Sequence, residues 1–572
     1  MATYPKDLSP PKRPPDPAGP DEIFVFTPIS GGAPLSTYCQ DGSGRRITPP
    51  AVRVSHPHSP NVFIKEKTNS SMHFDPDARI PGELAPIVSS TLDPTAVLSL
   101  DPGNSSLKHA LDLLQSLEAW EPHMLVPWDH IPSFFARGTS RRMRKHHARL
   151  MHYRVIRAVD PHDIKVVTNF FTVDKKDETL RLVVDGRKVN VLMEPPPKME
   201  LPTIYEVIDY LMDNEYALTV DGTSYFYQFG ISDEVGNLFC ANLADARGDF
   251  TPVALTRMPM GWAYAPYIAQ KISNTLLRGR DGRILGVAWI DNFIFAGKTR
   301  EEVEANFQEF LSQCDLCNIH IDNRNPKPST ILEALGIVFD LKYKRYQLDP
   351  EWVGRRDFTL SQVMTARRLY EITGSAIWHD YVKKIPLCHR SECIDIIRRV
   401  ATLISPTQEW DTPLSFTPEE LQHLQDWTNS VKANMAAFWL PKVAPELDLW
   451  SDASDAEWAA MMFQYGELLA AEQGSFTGEH FKWHIFLKEA YAADVVIQAT
   501  KGIHRAINID NKPLVQCISR GFSSNKFVNN LIRNWDLDNI TARWVSTEVQ
   551  KADPYTRGQR FPATLPSLRP KS

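Results

Sequence analysis

LGVAWIDNFIFAG, residues 285–297, sets two apolar runs on either side of Asp291-Asn292, a dipeptide suited to a tight hairpin turn. Upstream, YALTVDGTSYFYQF, residues 216–229, carries an apolar β-run that ends in Asp221 and is followed by a turn. Both runs are short and rich in β-branched and aromatic residues, as strands of a mixed α+β domain are. Two carboxylates delivered at the ends of neighbouring strands can hold two Mg²⁺ ions about 4 Å apart, one for a hydroxyl nucleophile and one for a triphosphate.

Between these runs lies RMPMGWAYAPYIAQ, residues 257–270, in which Gly261 and Pro266 shape a loop leading into a helix. Together the three segments resemble reverse transcriptases. Asp221 looks like the first palm aspartate, the loop with Met260 and Gly261 like the template-side loop, and WIDN like the YxDD hairpin. LRLVVDGRKVN, residues 180–190, resembles the fingers motif, in which Arg181 would clasp the triphosphate. Lys175 or Lys176 would be a second phosphate contact, a point charge beside a planar fork. ALGIVFD, residues 334–340, resembles the primer-grip turn, and Arg324 or Lys327 would protonate departing pyrophosphate. Phe226, five residues after Asp221, would collide with a ribose 2′-hydroxyl, so the resemblance implies deoxynucleotide selection. Asn292 stands where the family has a second aspartate; an amide oxygen still ligates Mg²⁺ but brings no charge. The W-x-D-N hairpin is similar to that of DIRS-like retroelements, above all the trypanosomatid VIPER type, which makes Asn292 a feature of lineage.

Four further acids follow in the order that resembles the two-metal set of RNase H. Asp452 lies in LWSDASDAEWAAMMF, Glu489 in the helical IFLKEAYAADVVIQA, Asp510 at the end of AINIDN and Asp553 in VSTEVQKADPYTRG. The metal ligands implied are therefore Asp221, Asp291 and Asn292 at one site, and Asp452, Glu489, Asp510 and Asp553 at the other, with Mg²⁺ in pairs and Mn²⁺ able to substitute. No histidine lies between Asp510 and Asp553, where many RNases H keep one to help product leave. A polymerase that makes RNA/DNA hybrid and a nuclease that removes its RNA explain each other.

The rest of the sequence sets the frame. At 572 residues, two to four folding units are expected. The fold class implied is α+β: a right-hand polymerase followed by an α/β RNase H-like domain. Residues 1–105 hold many of the 43 prolines (PPKRPPDPAGP, ITPPAVRVSHPHSP) and read as a largely disordered region. Residues 106–149 read as a helical, basic linker, 150–345 as fingers and palm, 346–445 as a helical thumb and connection, 446–560 as RNase H and 561–572 as a tail. The run Arg141, Arg142, Arg144, Lys145, His146, His147, Arg149 reads first as a solvated helix face, with nucleic-acid contact or nuclear localisation as alternatives.

A net charge of −6 does not exclude nucleic acid, because clustered carboxylates mask a basic groove. No apolar run is long enough to span a membrane, and no secretory leader is visible at the N-terminus. Seven scattered cysteines fit a reducing compartment, cytoplasmic or nuclear, and neither Cys314–Cys317 nor Cys388–Cys393 has a second ligand pair at zinc-finger spacing. The partners expected are an RNA template, a DNA primer, RNA/DNA hybrid and dNTPs. Protease and integrase signatures are missing, so integration functions would come from another chain if the element is mobile, or have been lost. The rival reading is a domesticated, catalytically silent protein that keeps the fold as an RNA-binding scaffold.

Overall fold

The computed structural model describes residues 81–128, 131, 141–175, 178–245, 247–441 and 443–569. These form two compact units. One comprises the described residues through Leu335 together with Phe339–Tyr343; the other comprises Gly336–Val338 and the chain from Lys344.

In the first unit, strand Tyr216–Asp221 pairs antiparallel with strand Asn292–Gly297, which in turn pairs with Val287–Trp289. The inner strand is apolar on both faces because helices Ala265–Leu276 and Arg300–Leu316 pack against this small sheet. Phe293, Phe295, Phe307 and Phe310 fill the space beneath the Arg300–Leu316 helix, with ring centroids 4.7 to 6.2 Å apart. A second antiparallel sheet joins Ile156–Ala158, Phe250–Leu255 and Cys240–Ala244. A separate hairpin pairs Phe170–Asp174 with Leu180–Val184.

The loop before the Ala265–Leu276 helix is fixed by one close crossing. Gly261 has φ +122°, and a Cβ there would lie 2.0 Å from the Val184 carbonyl oxygen. Across the contact, a Cβ at Gly186 would lie 2.1 Å from the Gly261 carbonyl oxygen. Val184 N–H donates to the Met260 carbonyl, and Asn190 Nδ2 to that of Gly261. Gly261→Ala is therefore expected to destabilise this unit by at least about 2 kcal/mol, read as a lower urea midpoint; an unchanged midpoint would refute the crossing.

In the second unit, helices Ala366–Val382, Ser391–Ile404 and Pro418–Ala433 pack around Leu369, Ile372, Val400, Leu424 and Trp427. Buried among them, Asp380 accepts hydrogen bonds from Arg390 Nε and Trp427 Nε1, both at 2.8 Å. Behind the helices lies a five-stranded sheet in the order Glu467–Ser475, Glu457–Gln464, Leu447–Ala453, Arg505–Ile509, Ile540–Trp544. Its first three strands are antiparallel and its last two join in parallel. Helix Ile485–Ala499 makes the crossover and covers one face.

Some expected boundaries shift. Residues 81–105, placed with the Pro-rich region by composition, include helix Pro94–Leu100, whose N-terminus is capped by Asp93; residues 1–80 lie outside the described residues. The basic run is not a solvated face throughout. Met143, His146, Arg149 and Leu150 are buried, and Lys145, His146 and Arg149 all lie within 4.0 Å of the Glu83 carboxylate. The stretch 346–445 is mainly helical but also contains the strand pair Val363–Thr365 with Pro413–Ser415. Residues 561–569 do not trail off: Phe561, Leu565 and Leu568 pack on the five-stranded sheet.

Candidate active sites

The first site gathers at the end of strand Tyr216–Asp221. Register places Asp221 opposite Asn292 and closes the neighbouring hairpin with Trp289 opposite Asn292. The loop residues are thus Ile290 and Asp291, one step earlier than the Asp291-Asn292 turn read from the sequence. Ile290 has a positive φ of 58°, a strained state for a β-branched residue. Two buried side chains of helix Ala265–Leu276 hold it there. Gln270 Oε1 accepts from Ile290 N–H at 2.7 Å, and Ser273 Oγ donates to the Ile290 carbonyl at 2.5 Å. The turn so held brings Asp291 beside Asp221, with the Asp291 carbonyl accepting from Gly222 N–H at 2.8 Å.

Burial, then the charge of Asp221, pushes the Asp291 carboxyl up to about 6. Burial raises Asp221 too; a hydrogen bond from Asn292 opposes the rise, and Asp322 adds to it. Asn292 turns its amide nitrogen to Asp221 Oδ1 at 2.7 Å, while its oxygen accepts from Thr219 Oγ1 at 3.1 Å. A carboxylate accepts only, so the nitrogen must face Asp221. In this arrangement Asn292 orients Asp221 and does not offer it an oxygen. Arg181 is close enough to Asp291, and Lys175 to Asp221, for each cation to favour its neighbour's charged form. Lys176 lies outside the described residues. Phe226 is half-buried in the turn Tyr225–Gln228 just beyond Asp221. Met260 and Gly261 stand at the crossing with Val184. Arg324 is tied to Asp315 at 2.8 Å, whereas Lys327 reaches Glu304 only at 3.9 Å.

The second site is tighter. Asp452, Glu489 and Asp510 each offer a carboxylate oxygen within 4.8 Å of the others, and no other such group of three occurs among the described residues. Asp452 is inward on the central strand and Glu489 is on the crossover helix, each 4% exposed; Asp510 follows the adjacent parallel strand. Burial, then the charge of Asp510, pushes Asp452 up to about 7. Burial, then Asp452, pushes Glu489 well above the usual carboxylate range. Glu489 Oε2 and Asp510 Oδ1 are buried and have no hydrogen-bond partner. Orphaned acceptor oxygens facing other acids suit a divalent cation, which would offset their crowding. Asp553 stands at the edge, its carboxylate bridged to Arg557 Nε at 2.9 Å, and still raises the proton affinity of both buried acids.

Sequence reading missed several neighbours of these acids. Asp322 ends NIHID, an apolar-alternating run closing on an acid much as the Asp221 run does. Thr556 and Thr547 donate to Asp452 Oδ2 and Asp510 Oδ2 at 3.0 and 2.9 Å. Trp544, 47% exposed, donates its indole N–H to the Asp510 carbonyl at 3.0 Å. Hydroxyls from an unrelated loop leave no periodic trace in sequence.

No family model matches this sequence, and no curated protein does. Among solved structures the chain is similar to the foamy viral protease-reverse transcriptase. The dRH form in complex with double-stranded DNA is 15% identical, covering 80% of this chain and 83% of that one at a TM-score of 0.44. The protein in complex with dsDNA is 14% identical, over 80% and 98% at 0.44. The complex with RNA/DNA hybrid is 14% identical, over 83% and 65% at 0.44. Among the described residues, no helix is long and apolar enough to cross a membrane.

Proposed function

We propose that the chain is an RNA-directed DNA polymerase with a fused ribonuclease H, copying retroelement RNA and degrading the RNA of the hybrid. The observation that carries this reading is the pair of separate carboxylate clusters, in polymerase-then-nuclease order, the first with Arg181 and Lys175 beside it. Residues 150–345 would be fingers and palm, 346–445 thumb and connection, and the five-stranded unit the nuclease. The W-x-D-N hairpin supports an origin among DIRS-like elements of the VIPER type.

At the first site Asp221 and Asp291 would hold Mg²⁺, with Asn292 fixing the rotamer of Asp221. At the second, Asp452, Glu489 and Asp510 would do so, with Asp553 at the rim. Bound there, divalent cations supply the charge neutralisation that in-line attack on a phosphate needs. Arg181 and Lys175 would grip the incoming triphosphate, and Met260 and Gly261 would bear on the template side. The partners are RNA template, DNA primer, RNA/DNA hybrid and dNTPs.

The deciding test is deoxynucleotide incorporation on poly(rA)/oligo(dT) with Mg²⁺ or Mn²⁺, beside Asp221→Ala. Incorporation lost in the variant supports the polymerase. No incorporation by folded protein that still binds hybrid points to the silent scaffold. Phe226→Ala is expected to relax discrimination against ribonucleotides about tenfold, the scale of one steric contact; unchanged discrimination would remove Phe226 from the nucleotide site.

A further inference from the structure

The proposed polymerase site has one carboxylate fewer than the pattern it resembles, because position 292 is an amide. The neighbouring backbone brings another acid alongside. Gly222 and Ile321 form an antiparallel bridge, with Thr223 N–H donating to the His320 carbonyl and Asp322 N–H to that of Asp221 at 3.0 Å. This register sets Asp322 directly across from Asp221, as strand Asn292–Gly297 sets Asn292 across from it on the other side. Directly opposed residues project from the same face with Cβ atoms about 4.5–5.5 Å apart. Asn292, Asp221 and Asp322 therefore form one row on one face.

The third member is held firmly. Gln228, fully buried, donates to the His320 carbonyl at 2.9 Å and accepts from His320 N–H at 2.7 Å. Ile321 is buried beside it. Asp322 itself is exposed.

We infer that Asp322 is the third carboxylate of the polymerase metal site, supplying from the 320–322 segment the negative charge that Asn292 lacks. This inference rests on the polymerase reading above. Its charge acts on a divalent cation held by Asp221 and Asp291 whether it touches the ion or one of the ion's waters. Among the described residues only the nuclease acids close to within 4.8 Å of one another, so the three acids here are more widely spaced.

The test uses the full chain carrying Asp452→Asn and Asp510→Asn, so that metal binding reports the polymerase site. Free Mn²⁺ is followed by electron paramagnetic resonance, with circular dichroism to check folding. Asp322→Asn is expected to weaken Mn²⁺ binding about tenfold, the scale of one nearby partly solvated charge. Asn292→Asp in that background is expected to restore it, a rescue that a merely structural Asp322 would not allow. If Asp221→Asn abolishes Mn²⁺ binding but Asp322→Asn leaves it unchanged, the inference is overturned and the polymerase reading stands. If Asp221→Asn also changes nothing, both fall.

Discussion

Asp291→Asn is expected to lower deoxynucleotide incorporation about a thousandfold, on the order of 4 kcal/mol, while cleavage of RNA/DNA hybrid is unaffected. The substitution keeps the shape of the side chain and removes only its charge. Asp291 follows strained Ile290 in the hairpin loop, and burial with Asp221's charge already pushes its carboxyl up to about 6. Neutralising it relieves that repulsion, so the folded protein should be no less stable than the parent. Loss of activity could not then be assigned to unfolding. The measurement is single-turnover incorporation beside a thermal melt; incorporation within tenfold of the parent would exclude Asp291 from the reaction.

What the sequence made legible was short-range pattern. Apolar runs closing on Asp221 and Asp510 read as strands ending in acids because burial fixes their period. The hairpin was legible too, but its loop was misplaced by one residue. Asp-Asn is the better turn dipeptide, yet Gln270 and Ser273 on a helix some twenty residues upstream clamp Ile290 into the turn instead. That clamp is tertiary and overrides local preference. The role of Asn292 was likewise hidden, since only the cross-strand register shows its nitrogen turned to Asp221 and its oxygen to Thr219. Asp322 was passed over for the same reason: its place opposite Asp221 depends on a bridge between segments about a hundred residues apart. The basic run misled in the opposite direction. Its charges suggested a solvated face, while Glu83, from a stretch dismissed on composition, lies within reach of exposed Lys145 and of buried His146 and Arg149.

Asp452→Asn should abolish hybrid cleavage, by about a thousandfold or more, and yet stabilise the metal-free protein. Asp452 is 4% exposed, and burial, then Asp510, raises its carboxyl to about 7. A raised folded-state value means that the protonated form's contribution is fully present below the unfolded value of about 4 and is lost as pH rises through about 7. Above that, metal-free protein holds a buried charge against Glu489 and Asp510, and asparagine removes it. At about pH 8 without metal the variant should gain roughly 2 kcal/mol, whereas below about pH 4 the difference should be small. Thr556 Oγ1 can donate to the asparagine oxygen as it does to Asp452 Oδ2, so the local hydrogen bond survives. Mg²⁺ should raise the melting temperature of the parent more than that of the variant, which keeps only the first site, because ligand binding to the native state stabilises it by mass action. A variant that melts no higher than the parent at about pH 8, or that keeps its nuclease activity, would show that these acids were not held together for a metal.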